Sequence, residues 1–329
     1  MQLSRRHVRE ELGVVSERMR RSIVTDIPAL GSAADYFFRL GADGKRLRST
    51  VLLLLATRLA PAPPDLARLE RLAEITELIH IASLLHDDVI DEAGTRRGVS
   101  AANAVFGNKV AILAGDFLLA RASVSLASLR DTRVIELMSA CLESLVAGEI
   151  LQLTADPEQA LCLDHYLRKT YCKTASLMAN SARSVALLGP EPGPDAAQAA
   201  WDYGRALGLA FQLVDDVLDF TASADELGKP ALNDLRSGLA TAPVLYAVQA
   251  SEPLRALARR RFAAPGDVDA ALAIVAAGDG LARARRLAAD HADLAVQALG
   301  RLPPPACEEA GAAHAALLEL TARVLSRRS

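Results

Sequence analysis

The chain is 329 residues long, enough for one large core or two ordinary domains. Hydrophobic residues make up 51% of it but aromatics only 4%, so the core draws on Leu, Ala, Val and Ile, a mixture that favours helices over sheets. With 37 basic against 40 acidic residues the formal charge is -3, which argues against a general nucleic-acid binder.

Helical periodicity runs through almost the whole chain, beginning with predicted helices at about 7–22, 32–40 and 47–59. Residues 65–91, "DLARLERLAEITELIHIASLLHDDVID", carry Leu66, Leu69, Leu72, Ile75, Ile79 and Ala82 at intervals of three or four, with Asp65 as N-cap. Helices at 107–128, 131–154 and 164–188 follow, then one at 197–220 after the breaker-rich "GPEPGPD", then 239–250, 268–277, 279–299 and 306–326. No stretch alternates well enough for a sheet, and no repeat of fixed period is present. The breaker segments at 61–64, 189–195 and 303–305 are short, as turns between packed helices are. The expectation is one all-α domain over 1–329, a bundle too large for four helices.

Cys141, Cys162, Cys172 and Cys307 show neither CxxC pairing nor a metal-ligand rhythm; they read as reduced, mostly buried thiols of a non-secreted protein. No apolar run approaches bilayer length, the best candidate being "VLLLLA" at 51–56, so no transmembrane segment is expected. The basic opening "MQLSRRHVREELG" contains Glu10 and Glu11 and no apolar segment, which counts against a secretion signal.

In "SLLHDDVIDEAGTRRG" an apolar helix ends in aspartates: Asp87 and Asp91 stack one turn apart, Asp88 flanks them, and His80 lies two turns back on the same side. Converging carboxylates repel and need a cation, and hard oxygen ligands point to magnesium bridging to a phosphate. The pattern recurs in "FQLVDDVLDF", where Asp215 and Asp219 are i and i+4, Asp216 flanks them, and Gln212 lies one turn earlier. A single such cluster can be a charged helix end; two copies, both interrupting apolar helices, point to a site. Two facing acidic helices could clamp a diphosphate through several metal ions and ease cleavage of its carbon–oxygen bond. "GADGKRLRS" supplies Lys45, Arg46 and Arg48, "TRRG" supplies Arg96 and Arg97, and Lys173 and Lys229 stand in "YCKTAS" and "LGKP". Singly these are ordinary surface charges; grouped near acidic motifs, arginine forks suit phosphate oxygens.

These stretches, with "GNKVAILAGDFLLARA", "GEILQL" and "GKPALNDLRSGLATAPVL", resemble the trans-polyprenyl diphosphate synthases, above all the long-chain solanesyl and decaprenyl synthases of quinone side chains. The resemblance implies an all-α isoprenoid synthase fold, usually dimeric. It implies that Asp87 and Asp91, supported by Asp88, hold Mg2+ on an allylic diphosphate, while Asp215 binds a further ion with Asp216 and Asp219 nearby. Lys45, Arg48, His80 and Arg97 would hold isopentenyl diphosphate; Arg96, Lys173, Thr174, Gln212 and Lys229 would contact the allylic substrate or its cation. Three positions depart from the family pattern: Asp43 replaces the first Gly of "GGK", Ser49 replaces a Pro, and Leu239 stands where many relatives have Lys. The first two are expected to alter only a turn; the third removes a phosphate contact.

A growing hydrocarbon tail would leave past the residues one turn before Asp87, which are the small Ala82 and Ser83; bulky residues there accompany short products in the family. The expectation is a long product from a farnesyl or geranylgeranyl primer, although Ala and Ser also serve close helix packing. The apolar 111–129 segment would form either a dimer interface or an internal core helix. Rival readings are a medium-chain synthase, a terpene cyclase, disfavoured by the all-aspartate second motif, and a subunit of a heteromer with a paralogue, disfavoured by retention of both motifs. The resemblance favours the mitochondrion, with plastid or bacterial cytoplasm as alternatives, and peripheral membrane association without embedding.

Overall fold

The structure is a computed structural model; it describes residues 2–39, 46–59, 66–96, 98–189, 193–221 and 232–327. In chain order these form α1 (Gln2–Ser22), α2 (Pro28–Arg39), α3 (Leu47–Leu59), α4 (Leu66–Ile90), strands β1 (Thr95–Arg96) and β2 (Val99–Ser100), α5 (Ala102–Phe106) and α6 (Asn108–Ser128). Next come α7 (Thr132–Leu153), α8 (Pro157–Ala160), α9 (Leu163–Thr170), a π-helical turn (Tyr171–Ala175), α10 (Ser176–Leu188) and α11 (Pro194–Thr221). The remaining helices are α12 (Asn233–Arg236), α13 (Ala242–Ala247), α14 (Glu252–Arg259), α15 (Asp267–Ala277), α16 (Gly280–Gly300) and α17 (Glu308–Ser326). The all-α expectation holds. The one strand pair among the described residues, Thr95 with Ser100 and Arg96 with Val99, is too short for alternation to reveal.

The chain forms two compact units, the first made of Met1–Leu142, Leu177–Trp201 and Ala298–Glu319. Its α4 is buried on most of its circumference, with Leu72, Ile75, Leu78, Ile79, Ala82 and Leu85 all enclosed, as in a helix surrounded by others. Three glutamates of α4 are buried too, and protein groups face them: Glu70 meets Arg18 at 2.7 Å, and Glu77 accepts from Ser49 N (3.1 Å) and Ser49 Oγ (2.6 Å). Burial raises the Glu74 pKa, and the charge of Arg71 opposes the rise. Ser49 therefore does more than shape a turn; it lies inside α3 and ties that helix to α4.

Helix α6 lays Ala111, Ala114, Leu118 and Ala122 on the core, small side chains at helical spacing that admit close packing on α4. It corrects the expectation that no segment reaches bilayer length, because its 21 residues are long and apolar enough. That composition has a packing reason, since one face joins the core while Ile112, Leu113 and Val124 stay exposed.

The second unit comprises Glu143–Ser176, Asp202–Gln297 and Leu320–Ser329. One cluster packs Tyr166 of α9 on Leu213, Val217 and Leu218 of α11, with Leu245 of α13 and Ala284 and Ala288 of α16. A second joins α12 through α15 around Leu235, Val244, Leu254, Phe262 and Val275.

Several boundaries differ from the sequence reading. The predicted 164–188 helix contains the π-helical turn, and the predicted 239–250 helix begins only at Ala242, after a turn through Gly238 at φ 75°. Helices α8 and α14 were not foreseen; each is short and has a Pro at its first or second position behind a capping side chain, Asp156 or Ser251. Two thiols, Cys141 and Cys172, are buried, whereas Cys162 and Cys307 are exposed. The expectation of mostly buried cysteines thus fails where a cysteine immediately precedes a helix, α9 or α17.

Candidate active site

The first acidic motif ends α4 in the first unit. Asp87 is half-buried, Asp88 is 2% exposed, and Asp91 is exposed just beyond the helix, its N–H still donating to the Asp87 carbonyl at 2.8 Å. The β1–β2 hairpin returns Arg96 onto Asp88, whose oxygens accept from Nε at 2.7 and 2.9 Å, with Nη2 also on Oδ1. Asn103 of α5 donates to the carbonyls of Asp88 (3.1 Å) and Ala93 (3.0 Å), so the helix end is capped by side-chain amide and hairpin together. Arg96 therefore sits on the motif's middle carboxylate in this structure. Arg48, in the first turn of α3, and His80, in α4, are half-buried in the same unit. Ala82 is fully enclosed, and Ser83 is part-buried with its hydroxyl on the His80 carbonyl at 2.8 Å.

The second motif lies on α11 within the second unit. Asp215 is half-buried, while Asp216 and Asp219 are 2% and 1% exposed. Asp216 accepts from Tyr166 Oη at 2.5 Å and from Gln212 Nε2 at 2.9 Å. Burial pushes its pKa up to about 6 against the pull of those two donors. Burial, then the neighbouring Asp216 charge, pushes the Tyr166 phenol well above its usual value. Asp219 accepts the first N–H groups of α12, from Asn233 (3.3 Å) and Asp234 (3.1 Å), and its role is that of a cap.

Thr174 and Lys173 lie on the π-helical turn, a distortion frequent at functional sites. Two glycines allow neighbouring helices to approach it: a Cβ on Gly148 of α7 would fall 2.7 Å from Lys173 Cγ, and one on Gly208 of α11 would fall 2.7 Å from Ala175 Cα. Thr174 Oγ1 donates to Gln212 Oε1 at 3.1 Å, so Thr174, Gln212, Asp216 and Tyr166 form one chain of hydrogen bonds. The Lys173 ammonium pairs with Glu149 of α7, which is 8% exposed. Lys169 places its ammonium 5.7 Å from the Tyr166 ring centroid, and burial lowers its pKa.

Tyr166, Lys169, Glu149 and Arg327 had been given no role from sequence. Tyr166, Lys169 and Lys173 recur at helical spacing, a signal that was available; Glu149 stood inside a quoted motif. Lys45, Arg97 and Lys229 lie outside the described residues, as do Asp43 and Asp65.

Each motif by itself offers hard carboxylate oxygens of the kind that suit a divalent cation, Asp87 and Asp91 in the first unit and Asp215 in the second. Among the described residues no three His, Cys, Asp or Glu side chains converge as a complete cage. A magnesium ion suits that arrangement, since it takes one or two carboxylates and draws its other ligands from phosphate and water.

An all-α fold carrying two aspartate triplets on apolar helices, each with its middle carboxylate secured by protein donors, defines a diphosphate-processing enzyme class. The polyprenyl synthetase pattern matches residues 27–275, and the chain belongs to that family and is a prenyltransferase. It is 45% identical to solanesyl diphosphate synthase 3, chloroplastic/mitochondrial, from Arabidopsis thaliana, over 97% of this chain and 79% of that one. A decaprenyl diphosphate synthase from Rhodobacter capsulatus superposes with TM-score 0.88 at 33% identity, covering 100% of this chain and 99% of the other. A polyprenyl synthase from Caulobacter crescentus, solved with calcium and isoprenyl diphosphate, gives TM-score 0.88 at 32% identity over 98% and 97% of the two chains. The fold is thus that of the polyprenyl synthases.

Proposed function

We propose that the chain, acting as one polyprenyl synthase domain, joins farnesyl or geranylgeranyl diphosphate to several isopentenyl diphosphates. The product is a long all-trans polyprenyl diphosphate for quinone side chains. The observation that carries this reading is the shared construction of the two motifs. In each, the first aspartate is half-buried, and the second is buried with both oxygens bound by protein donors. Asp87, Asp91 and Asp215 would hold Mg2+, with Asp88, Asp216 and Asp219 fixing the helix ends from which those three project. Magnesium supplies charge neutralisation on the diphosphate leaving group. Lys45, Arg48, His80 and Arg97 hold isopentenyl diphosphate. Arg96, Lys173, Thr174, Gln212 and Lys229 serve the allylic substrate and its cation, with the Gln212 amide oriented by Thr174 and Asp216.

Relatives named for long products and the small Ala82 and Ser83 support a long chain. The exposed Ile112, Leu113 and Val124 of α6 favour a second copy as partner, giving a homodimer. The chloroplastic/mitochondrial relative is in keeping with a mitochondrial or plastid setting. The purified chain, given an allylic diphosphate, isopentenyl diphosphate and Mg2+, should yield linear polyprenyl products well beyond twenty carbons when these are sized by chromatography. A cyclic hydrocarbon from the allylic substrate alone, or no product without a second polypeptide, would refute this.

A further inference from the structure

One residue past the end of α17, Arg327 reaches back onto the second acidic motif. Its Nη2 is 2.7 Å from Asp215 Oδ1, it donates to the Phe211 carbonyl, and its guanidinium carbon stands 3.8 Å from the centroid of the Phe211 ring. The side chain is only 12% exposed, against 41% for Asp215. Its Nε is buried with no hydrogen-bond partner, so the guanidinium is incompletely satisfied where it sits. An arginine retains its charge in such a place. A carboxylate facing +1 at this distance is already neutralised, and a divalent ion on the same carboxylate would repel the guanidinium strongly.

We propose that Arg327 is a tethered cation that neutralises Asp215 while no divalent ion is bound and gives up that carboxylate when the metal arrives. This rests on the reading of Asp215 as a metal ligand. The contact has the composition of an exchangeable one. A single ion pair, one carbonyl and an aromatic face hold the guanidinium, and a buried Nε gains a partner only by leaving. Occupancy by Arg327 reduces the fraction of chains competent to bind metal and raises the apparent dissociation constant in proportion. The opposite role, an arginine that joins the metals in holding a phosphate, predicts the opposite sign.

The test is a Mn2+ titration followed by electron paramagnetic resonance, on the full chain in the presence of inorganic pyrophosphate. Arg327→Gln should bind the second-motif Mn2+ about tenfold more tightly than the wild type, the factor expected if the occupied state holds about nine chains in ten. Phe211→Leu, which removes the ring beneath the guanidinium and leaves every charge in place, should tighten binding by a smaller factor. Unchanged or weaker Mn2+ binding in both variants overturns the proposal. Asp215→Asn separates the two layers. If it loses no Mn2+ site, the assignment of Asp215 as a ligand fails and the exchange with it; if it loses one while Arg327→Gln gains nothing, only the exchange fails.

Discussion

The guanidinium of Arg96 closes on both carboxylate oxygens of Asp88, with Nε 2.7 Å from Oδ1 and 2.9 Å from Oδ2. Asp88 is 2% exposed, so removing its partner strands a buried charge, an error that costs about 3–5 kcal/mol. Arg96→Met should destabilise the chain by roughly that amount in urea unfolding. The double variant Asp88→Asn with Arg96→Met should recover a large part of the loss, because no buried charge remains. If Arg96→Met leaves stability intact and only weakens the allylic substrate, Arg96 is a substrate ligand and nothing more.

Tyr166 and Gln212 together satisfy Asp216, one oxygen each. Tyr166→Phe keeps the ring that packs on Leu213 and Val217 but withdraws the 2.5 Å hydroxyl. The expected loss is about 1–3 kcal/mol of stability from an unsatisfied buried acceptor. If Asp216 aligns Asp215, half-saturation with Mg2+ in the assay should also move to higher concentration. An unshifted Mg2+ requirement would leave Asp216 as a structural residue only.

Glu149 holds Lys173 on the π-helical turn. Glu149→Gln preserves the shape and removes the charge, freeing the ammonium to take other rotamers. The expected outcome is a kcat/KM for the allylic diphosphate lowered by about tenfold, equivalent to one lost interaction of about 1.4 kcal/mol. KM for isopentenyl diphosphate should hold steady, and Glu149→Asp should restore part of the loss. Equal effects on both substrates would point to general misfolding of the turn.

Ala82 has no exposed surface, and Thr76, two turns of α4 earlier, meets Ser181 of α10 at 3.0 Å between hydroxyl oxygens. This polar contact lies about 16 Å from Asp87 along the helix, at 1.5 Å per residue. Ala82→Phe should shorten the product measurably, read by chromatography of the dephosphorylated alcohols. Unchanged chain length would remove α4 from the elongation path and leave Ala82 as a packing residue.

The helices were legible because their apolar spacing persists over many turns, as in α4 and α11, and the aspartate triplets stood out because charge interrupts such helices rarely. What escaped was set by partners distant in sequence. Tyr166 and Asp216 are 50 residues apart, and Arg327 lies 116 residues from Phe211, so no local window contains either contact. The π-helical turn escaped for a related reason. Its extra residue is accommodated by Gly148 and Gly208 on two other helices, and "YCKTAS" alone reads as continuous α-helix. Ser49 looked like a turn variant until Glu77, on another helix, proved to be its acceptor.

His314 of α17 offers a pH-dependent test of the first unit. Its Nδ1 accepts from Arg58 Nε at 3.3 Å, so the ring must be neutral with its proton on Nε2. Burial, then the Arg58 charge, lowers its pKa from 6.5. The unfolded chain therefore binds this proton at higher pH than the folded one, and stability is fully present above about pH 6.5 and declines as pH falls through the folded value. Between pH 8 and pH 5 His314 takes stability away as pH falls, while Asp216, whose pKa is raised by burial, acts in the opposite direction. His314→Gln, whose amide oxygen can still accept from Arg58, should remove the first contribution, so its melting temperature should lose less on acidification than that of the wild type. An identical slope in the variant would assign the acid sensitivity to other groups, of which half-buried His291, also lowered by burial, is the first to substitute.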